Sequence, residues 1–121
     1  MAERYVLAFD LGTSALKAAL VSFMGRVAAL ESVPVRLHLL PGGGAEQDPS
    51  EWWAALVAAA RRLLARGVAR PDQVAAICCT AQWSATVAVD RSGRPLMRAI
   101  SWMDTRGAPD VARLTDGPIS I

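Results

Sequence analysis

The chain opens with an unbroken apolar run, Tyr5 to Phe9, that stops on Asp10. After Gly12, Thr13 and Ser14 it resumes as Leu16, Ala18 and Leu20, interleaved with Lys17, Ala19 and Val21. A continuous run followed by a period-two stretch predicts two strands within residues 4 to 22, paired antiparallel about a tight turn. Gly25 supplies a second turn, and Val27 to Val35 a third strand ending near Pro34. Three consecutive strands with short connections make an antiparallel meander.

Pro41 and the glycines 42 to 44 break the pattern into a loop, and beyond it the period changes. Trp53, Leu56, Val57, Ala60, Leu63 and Leu64 recur at i, i+3, i+4, with Arg61, Arg62 and Arg66 largely outside that stripe, so an amphipathic helix is expected to lie on the sheet. Asp48 is read as its N-cap, Pro49 as the first helical residue and Glu51 as the reciprocal capping acid; Gly67 and Pro71 end it. Trp52 and Trp53 should pack it on the sheet. Val74 to Cys79 is short and wholly apolar, as expected of a parallel central strand buried on both faces and reached by a helical crossover. Thr86 to Val89 and Leu96 to Ile100 flank the turn "DRSG" and predict a hairpin, Arg106 to Leu114 a short helix, and "TDGPISI" no closing element. The order is that of an α/β layer fold whose mixed sheet begins with a three-strand antiparallel meander.

Composition narrows the class. With 121 residues, 53% hydrophobic and 20% charged, the chain is at most one domain and has the interior content of a folded one. Thirteen basic and eleven acidic residues, net +2, are spread along it, which argues against nucleic acid or an anionic membrane as partner and for a small molecule or a protein. The longest apolar run, Trp52 to Ala60, has nine residues, well short of the ~18 that suggest a membrane span. Asp10 interrupts the early apolar segment, so no signal peptide is read there, and a cytoplasmic location is expected. Cys78 and Cys79 are adjacent, with neither a disulfide framework nor metal-ligand spacing, and are expected as buried thiols. His38 has no second ligand nearby and reads as an exposed or edge histidine.

The candidate chemistry sits in "FDLGTSALK", residues 9 to 17. A turn rich in Gly, Thr and Ser lets backbone N–H groups and hydroxyls converge on phosphate oxygens. Asp10 at the strand end could hold a hydrated Mg²⁺ against those phosphates, and Lys17, the only lysine, could supply positive charge. The same residues could equally make only a tight turn, with Lys17 on a solvated face. No G-x-G-x-x-G follows the first strand, which argues against a dinucleotide-binding domain.

"FDLGTSALK" resembles the first phosphate-binding hairpin of the actin, hexokinase and Hsp70 superfamily. With "EQDPSEWW", "TAQWSATVAVDRSGRPL" and "AISWMDTRG", in order and at the family's spacing, residues 5 to 107 look like the N-terminal domain of FGGY-family carbohydrate kinases, the group of xylulokinase, gluconokinase and glycerol kinase. The resemblance implies an actin-like ATPase (ribonuclease H-like) domain, here incomplete, and ATP-dependent phosphorylation of a sugar or polyol hydroxyl. It places Asp10 at the Mg²⁺–ATP site, with Gly12, Thr13, Ser14 and Lys17 around the terminal phosphates. Gln82, Trp83 and Ser84, together with Trp102, Asp104 and Arg106, fall where relatives line the sugar pocket. An indole can pack on a polyol C–H face while amide, carboxylate and guanidinium groups fix its hydroxyls. Without the family, Trp102 reads as core, Asp104 as a cap and Arg106 as a surface charge.

Familiar xylulokinases carry Met-His after the glutamine and glycerol kinases Arg-Glu, whereas this chain carries Trp83-Ser84, so the acceptor is not copied from either. Family members continue into a second actin-like domain that holds adenosine, and the general-base aspartate is expected beyond Ile121. On that expectation residues 1 to 121 are a partial N-terminal domain, inactive alone, and the resemblance leaves room for a homodimer of the full-length protein. A non-kinase actin-like ATPase and a catalytically dead sugar- or nucleotide-binding domain are the alternatives.

Overall fold

The structure, a computed structural model, describes residues 3–115. The expected absence of a closing element in "TDGPISI" therefore falls, past Thr115, outside the described residues. Strands β1 (Tyr5–Leu11), β2 (Ala15–Ser22) and β3 (Val27–Pro34) form the meander. In the antiparallel register Phe9 faces Ala18, Leu7 faces Leu20 and Asp10 faces Lys17. Strict alternation follows: Tyr5, Leu7, Phe9, Leu16, Ala18 and Leu20 are buried on one face, and Asp10 and Lys17 occupy the other.

After the meander the chain makes a second, smaller sheet from β4 (His38–Leu40), β5 (Gly44–Gln47) and β7 (Ala99–Ile100), in the order β4-β5-β7. Glycine content alone predicts a loop for this stretch. The glycines instead make the tight corner between β4 and β5: Gly42 and Gly43 have φ of +73° and +85°, a region that L side chains rarely adopt. His38 lies on β4, an edge strand, as its sequence context suggested.

Helix α1 (Pro49–Ala65) is capped by Asp48, whose Oδ1 accepts from Ser50 N at 2.8 Å. Glu51 does not complete a capping box; its Oε2 accepts instead from Arg36 N at 3.4 Å. The buried face of α1 also differs from the expected one. Ala55, Ala59 and Leu63 are buried, with Trp52, Leu56 and Ala60 packed against the same core, while Trp53 is 68% exposed. Close approach of a helix to a sheet requires small side chains at the contact, so the alanine stripe faces β2 and β3 and the larger Trp53 turns outward.

Strand β6 (Val74–Ala81) pairs parallel with β1, completing a sheet of order β3-β2-β1-β6. The parallel pairing is as expected, but the burial is not. Because α1 packs mainly on β2 and β3, the edge strand β6 is uncovered, and Cys78 and Cys79 are exposed rather than buried. The anticipated hairpin from 86 to 100 reduces to bridges, Thr86 to Ile100 and Val89 to Pro95, since only Ala99 and Ile100 find a sheet to join. Helix α2 (Ala108–Thr115) follows. These elements make a mixed α/β layer fold.

Candidate functional site

The parallel pair β1 and β6 ends at one edge of the sheet, the place where open α/β sheets bind ligands. Gln82 N donates to Leu11 O at 2.8 Å, extending the ladder one residue past β6 and setting Gln82 beside the bend that follows β1. The bend, Gly12 to Ser14, is closed by Gly12 N donating to Ala15 O at 3.1 Å. A Cβ on Gly12 would stand 3.0 Å from that carbonyl, so glycine is what lets the turn close so tightly. The amides of Thr13 and Ser14 have no hydrogen-bond partner among the described residues, which suits them to an anionic oxygen.

Thr13 joins three segments. Its Oγ1 donates to Gln82 Oε1 at 3.0 Å and accepts from Trp102 Nε1 at 3.0 Å, and its carbonyl accepts from Gln47 Nε2 at 2.8 Å. Gln82 Nε2 in turn donates to Gln47 Oε1 at 2.6 Å. Gly12, Thr13, Gln82, Trp83 and Trp102 line a recess of about 350 Å³. Among the described residues no charged side chain lines it. Trp83 and Trp102 are both more than half exposed, so their indole faces are available, and Ser84 follows Trp83 with a φ of +49°, rare for a residue with a side chain.

Asp10 and Lys17 lie on the open face of the sheet, as register partners, with Lys17 Nζ 3.5 Å from Asp10 Oδ2. Both side chains are about half exposed and the pair is long, so neither charge is consumed by the other. A depression here is lined by Ala8, Asp10, Lys17, Ala19, Cys78 and Thr80 among others. Mg²⁺ typically keeps several waters and takes one or two carboxylates with substrate phosphates, so Asp10 alone fits the role of holding a hydrated ion. Clusters of three or more potential metal ligands are absent among the described residues.

Asp104 and Arg106 do not line the recess. Asp104 Oδ2 accepts from Ala45 N at 2.9 Å and from Arg106 Nη2 at 2.6 Å, and Arg106 Nη2 also donates to Glu46 Oε1 at 2.8 Å. The Arg106 guanidinium, then the Ala45 amide, hold the Asp104 carboxyl well below the usual carboxylate range. Thr105 N donates to Gly43 O at 3.0 Å and Ser101 N to Ala45 O at 2.9 Å, so the segment from Ser101 to Arg106 is clasped along β5. That clasp carries Trp102 to Thr13. Tight fit explains two glycines of the 42–44 run: a Cβ on Gly43 would collide with Thr105 Oγ1, and one on Gly44 would meet Leu40 Cβ at 2.9 Å and Arg106 Nε at 3.1 Å.

Of the residues singled out from sequence, the structure gathers Gly12, Thr13, Gln82, Trp83 and Trp102 around one recess, with the exposed Ser14 and Ser84 adjoining it in the chain. Asp10 and Lys17 sit on the neighbouring open face, and Asp104 with Arg106 forms the supporting clasp. Gln47 and Glu46 were missed as individuals. Their only sequence signal is two polar residues directly ahead of the helix cap, in a stretch that read as loop.

Comparison with known proteins adds a lineage. The family model described as "FGGY family of carbohydrate kinases, N-terminal domain" matches residues 5–119. The chain is 35% identical over 112 residues to glycerol kinase of Thermococcus gammatolerans, covering 93% of this chain and 23% of that protein. It is 34% identical over 116 residues to xylulose kinase of Staphylococcus epidermidis, covering 96% of this chain and 23% of the relative. The crystal structure of xylulose kinase from Rhodospirillum rubrum superposes with a TM-score of 0.84 at 32% identity, over 93% of this chain and 23% of that one. The chain thus spans about a quarter of the length of the curated relatives it matches.

Proposed function

This chain belongs to the FGGY family of carbohydrate kinases, with an actin-like ATPase fold, and from that premise we propose that it forms the phosphate-binding and acceptor-binding wall of an ATP-dependent sugar or polyol kinase. The observation that carries the reading is the double use of Thr13 Oγ1, which ties the bend after β1 to both Gln82 and Trp102. Phosphoryl transfer depends mainly on positioned phosphates, charge compensation and an aligned acceptor. The bend and the recess supply surfaces for the first and last of these side by side.

In this reading the Thr13 and Ser14 amides hold phosphate oxygens, and Gly12 keeps side-chain atoms out of their way. Lys17 offsets the charge of the terminal phosphate from the open sheet face, where its contact with Asp10 is loose enough to exchange. Asp10 would hold Mg²⁺ through its waters, and the ion when bound draws negative charge from the phosphate oxygens. Trp102, fixed by its indole N–H, presents a ring face to the C–H face of the acceptor, and Trp83 and Gln82 border the same space. Asp104 and Arg106 serve the acceptor by holding Trp102 in place. We assign the adenosine site and the general base to polypeptide beyond these residues, so the 121-residue chain alone should bind without turning over.

The test is titration of the chain with Mg·AMP-PNP, followed by thermal denaturation with a panel of sugars and polyols. Nucleotide binding, together with a sugar that raises the melting temperature, supports the reading. A chain stabilised by nucleotide but by no sugar is the outcome expected of a non-kinase ATPase, and robust sugar-dependent turnover by the chain alone would refute the division of labour.

A further inference from the structure

Gln47 is 1% exposed, one of three buried polar residues among those described, and it touches both halves of the site without lining either. Its Nε2 donates to Thr13 O at 2.8 Å and to Arg36 O at 3.2 Å, and its Oε1 accepts from Gln82 Nε2 at 2.6 Å. Gln82 Oε1 then accepts from Thr13 Oγ1 at 3.0 Å, which closes a ring of hydrogen bonds through three residues 34 and 35 positions apart in sequence. Each amide has one workable orientation: turning Gln47 over would set its oxygen against two carbonyls and its nitrogen against that of Gln82, and turning Gln82 over would set its oxygen against that of Gln47. The Thr13 hydroxyl proton is thereby committed to Gln82, and one of its lone pairs to Trp102. Only the main-chain amide of Thr13 remains to meet an anion.

We propose that Gln47 is a positioning residue that locks the phosphate bend and the acceptor recess into one unit, so that occupancy of either is felt at the other. The inference rests on the function proposed above. A buried amide is costly unless satisfied, and here it is satisfied only while the Thr13 carbonyl and the Gln82 side chain hold their present places. A phosphate drawn to the Thr13 amide pulls on the same peptide frame whose carbonyl neighbour Gln47 grips. The pull reaches Gln82 through the ring, and it reaches Trp102 through the Thr13 hydroxyl, whose orientation depends on Gln47 holding Gln82 in place.

The test uses the chain labelled with ¹⁵N and titrated with Mg·AMP-PNP, followed through the Thr13 amide, the Trp102 indole N–H and the Gln47 side-chain amide. All three resonances should move together, although only the first would contact nucleotide. In Gln47→Leu the Thr13 amide should still respond, the Trp102 indole should not, and nucleotide should bind about tenfold more weakly. An exposed-helix control, Arg61→Ala, should match the unmodified chain. If the Thr13 amide fails to move in the unmodified chain, the proposed function falls and this inference with it. If it moves while Trp102 and Gln47 stay still, or if Gln47→Leu responds as the unmodified chain does, the lock alone is refuted. Should Gln47→Leu not fold, the unmodified chain's Trp102 and Gln47 resonances decide. A merely structural role for Gln47 would lower the melting temperature without producing any nucleotide response at Trp102.

Discussion

Trp102 donates its indole N–H to the hydroxyl of Thr13 at 3.0 Å, across 89 residues of sequence. One bond joins the segment that should face the acceptor to the bend that should face the phosphates. Replacing Trp102 by Phe keeps a ring in the recess and removes the donor; replacing it by Ala removes both. Thermal denaturation should show a small loss for Trp102→Phe, on the order of 1 kcal/mol, from one partly exposed hydrogen bond. Sugar-induced stabilisation should persist in part with Phe and vanish with Ala, and equal retention in both would remove the indole from the acceptor site.

Asp10 and Lys17 are about half exposed, so their removal should spare the fold and strike the nucleotide. Asp10→Asn should abolish the Mg²⁺-dependent part of AMP-PNP affinity, read by calorimetry with and without EDTA. Lys17→Met should weaken binding about tenfold at low salt and less at high salt, because an exposed charge is screened. Unchanged affinity in both variants would leave their ionic contact as surface chemistry only.

Gly43 and Gly25 both have positive φ, +85° and +79°, but only Gly43 has Thr105 where a Cβ would go. Gly25→Ala should cost about 1 kcal/mol of backbone strain. Gly43→Ala should cost more and also displace Thr105, loosening the clasp that holds Trp102. Urea denaturation of the two variants gives the comparison, and equal losses would mean that the clasp yields freely.

Acid should weaken the fold through Asp104. Its carboxyl is held below its ordinary value of 3.8 by Arg106 and the Ala45 amide, so the unfolded chain takes up protons before the folded chain does. The resulting stability is fully present above that value and is lost as pH falls beneath it toward the depressed folded-state value. Glu3, lowered from 4.5 by the Tyr5 hydroxyl and then by Arg26, adds a contribution of the same sign that starts at slightly higher pH. Melting temperature measured from pH 6 to pH 3 should fall, and Asp104→Asn should be less stable at pH 6 yet flatter across that range.

The meander was legible because Tyr5 to Val21 carries its burial pattern in the order of its residues, and a period-two stretch admits one pairing face. Helix α1 was legible in extent through Asp48 and Pro49, but its buried face was misjudged. Hydrophobic size favours Trp53 for that face, whereas a close helix-to-sheet approach selects Ala55 and Ala59. The small sheet was hidden because β5 is made of Gly44, Ala45, Glu46 and Gln47, residues with no strand periodicity. Its identity depends on β7 and the clasp, contacts more than fifty positions away. Gln47 was hidden for the same reason, since a glutamine becomes informative only once its partners at 13 and 82 are known. For Asp104 and Arg106, the family resemblance put both at the acceptor pocket but could not say that each would spend its hydrogen bonds on the other and on β5.

Among the described residues strand β6 ends the main sheet, so one row of its peptide groups faces outward beside Ile77, which is 69% exposed. A bare row of that kind is a template for any extended polypeptide that meets it. Two such chains can align their rows and continue one sheet through both, so self-association during purification should begin at this border. A proline or a lysine in place of Ile77 should blunt it, since that residue lines neither the recess nor the depression beside Asp10.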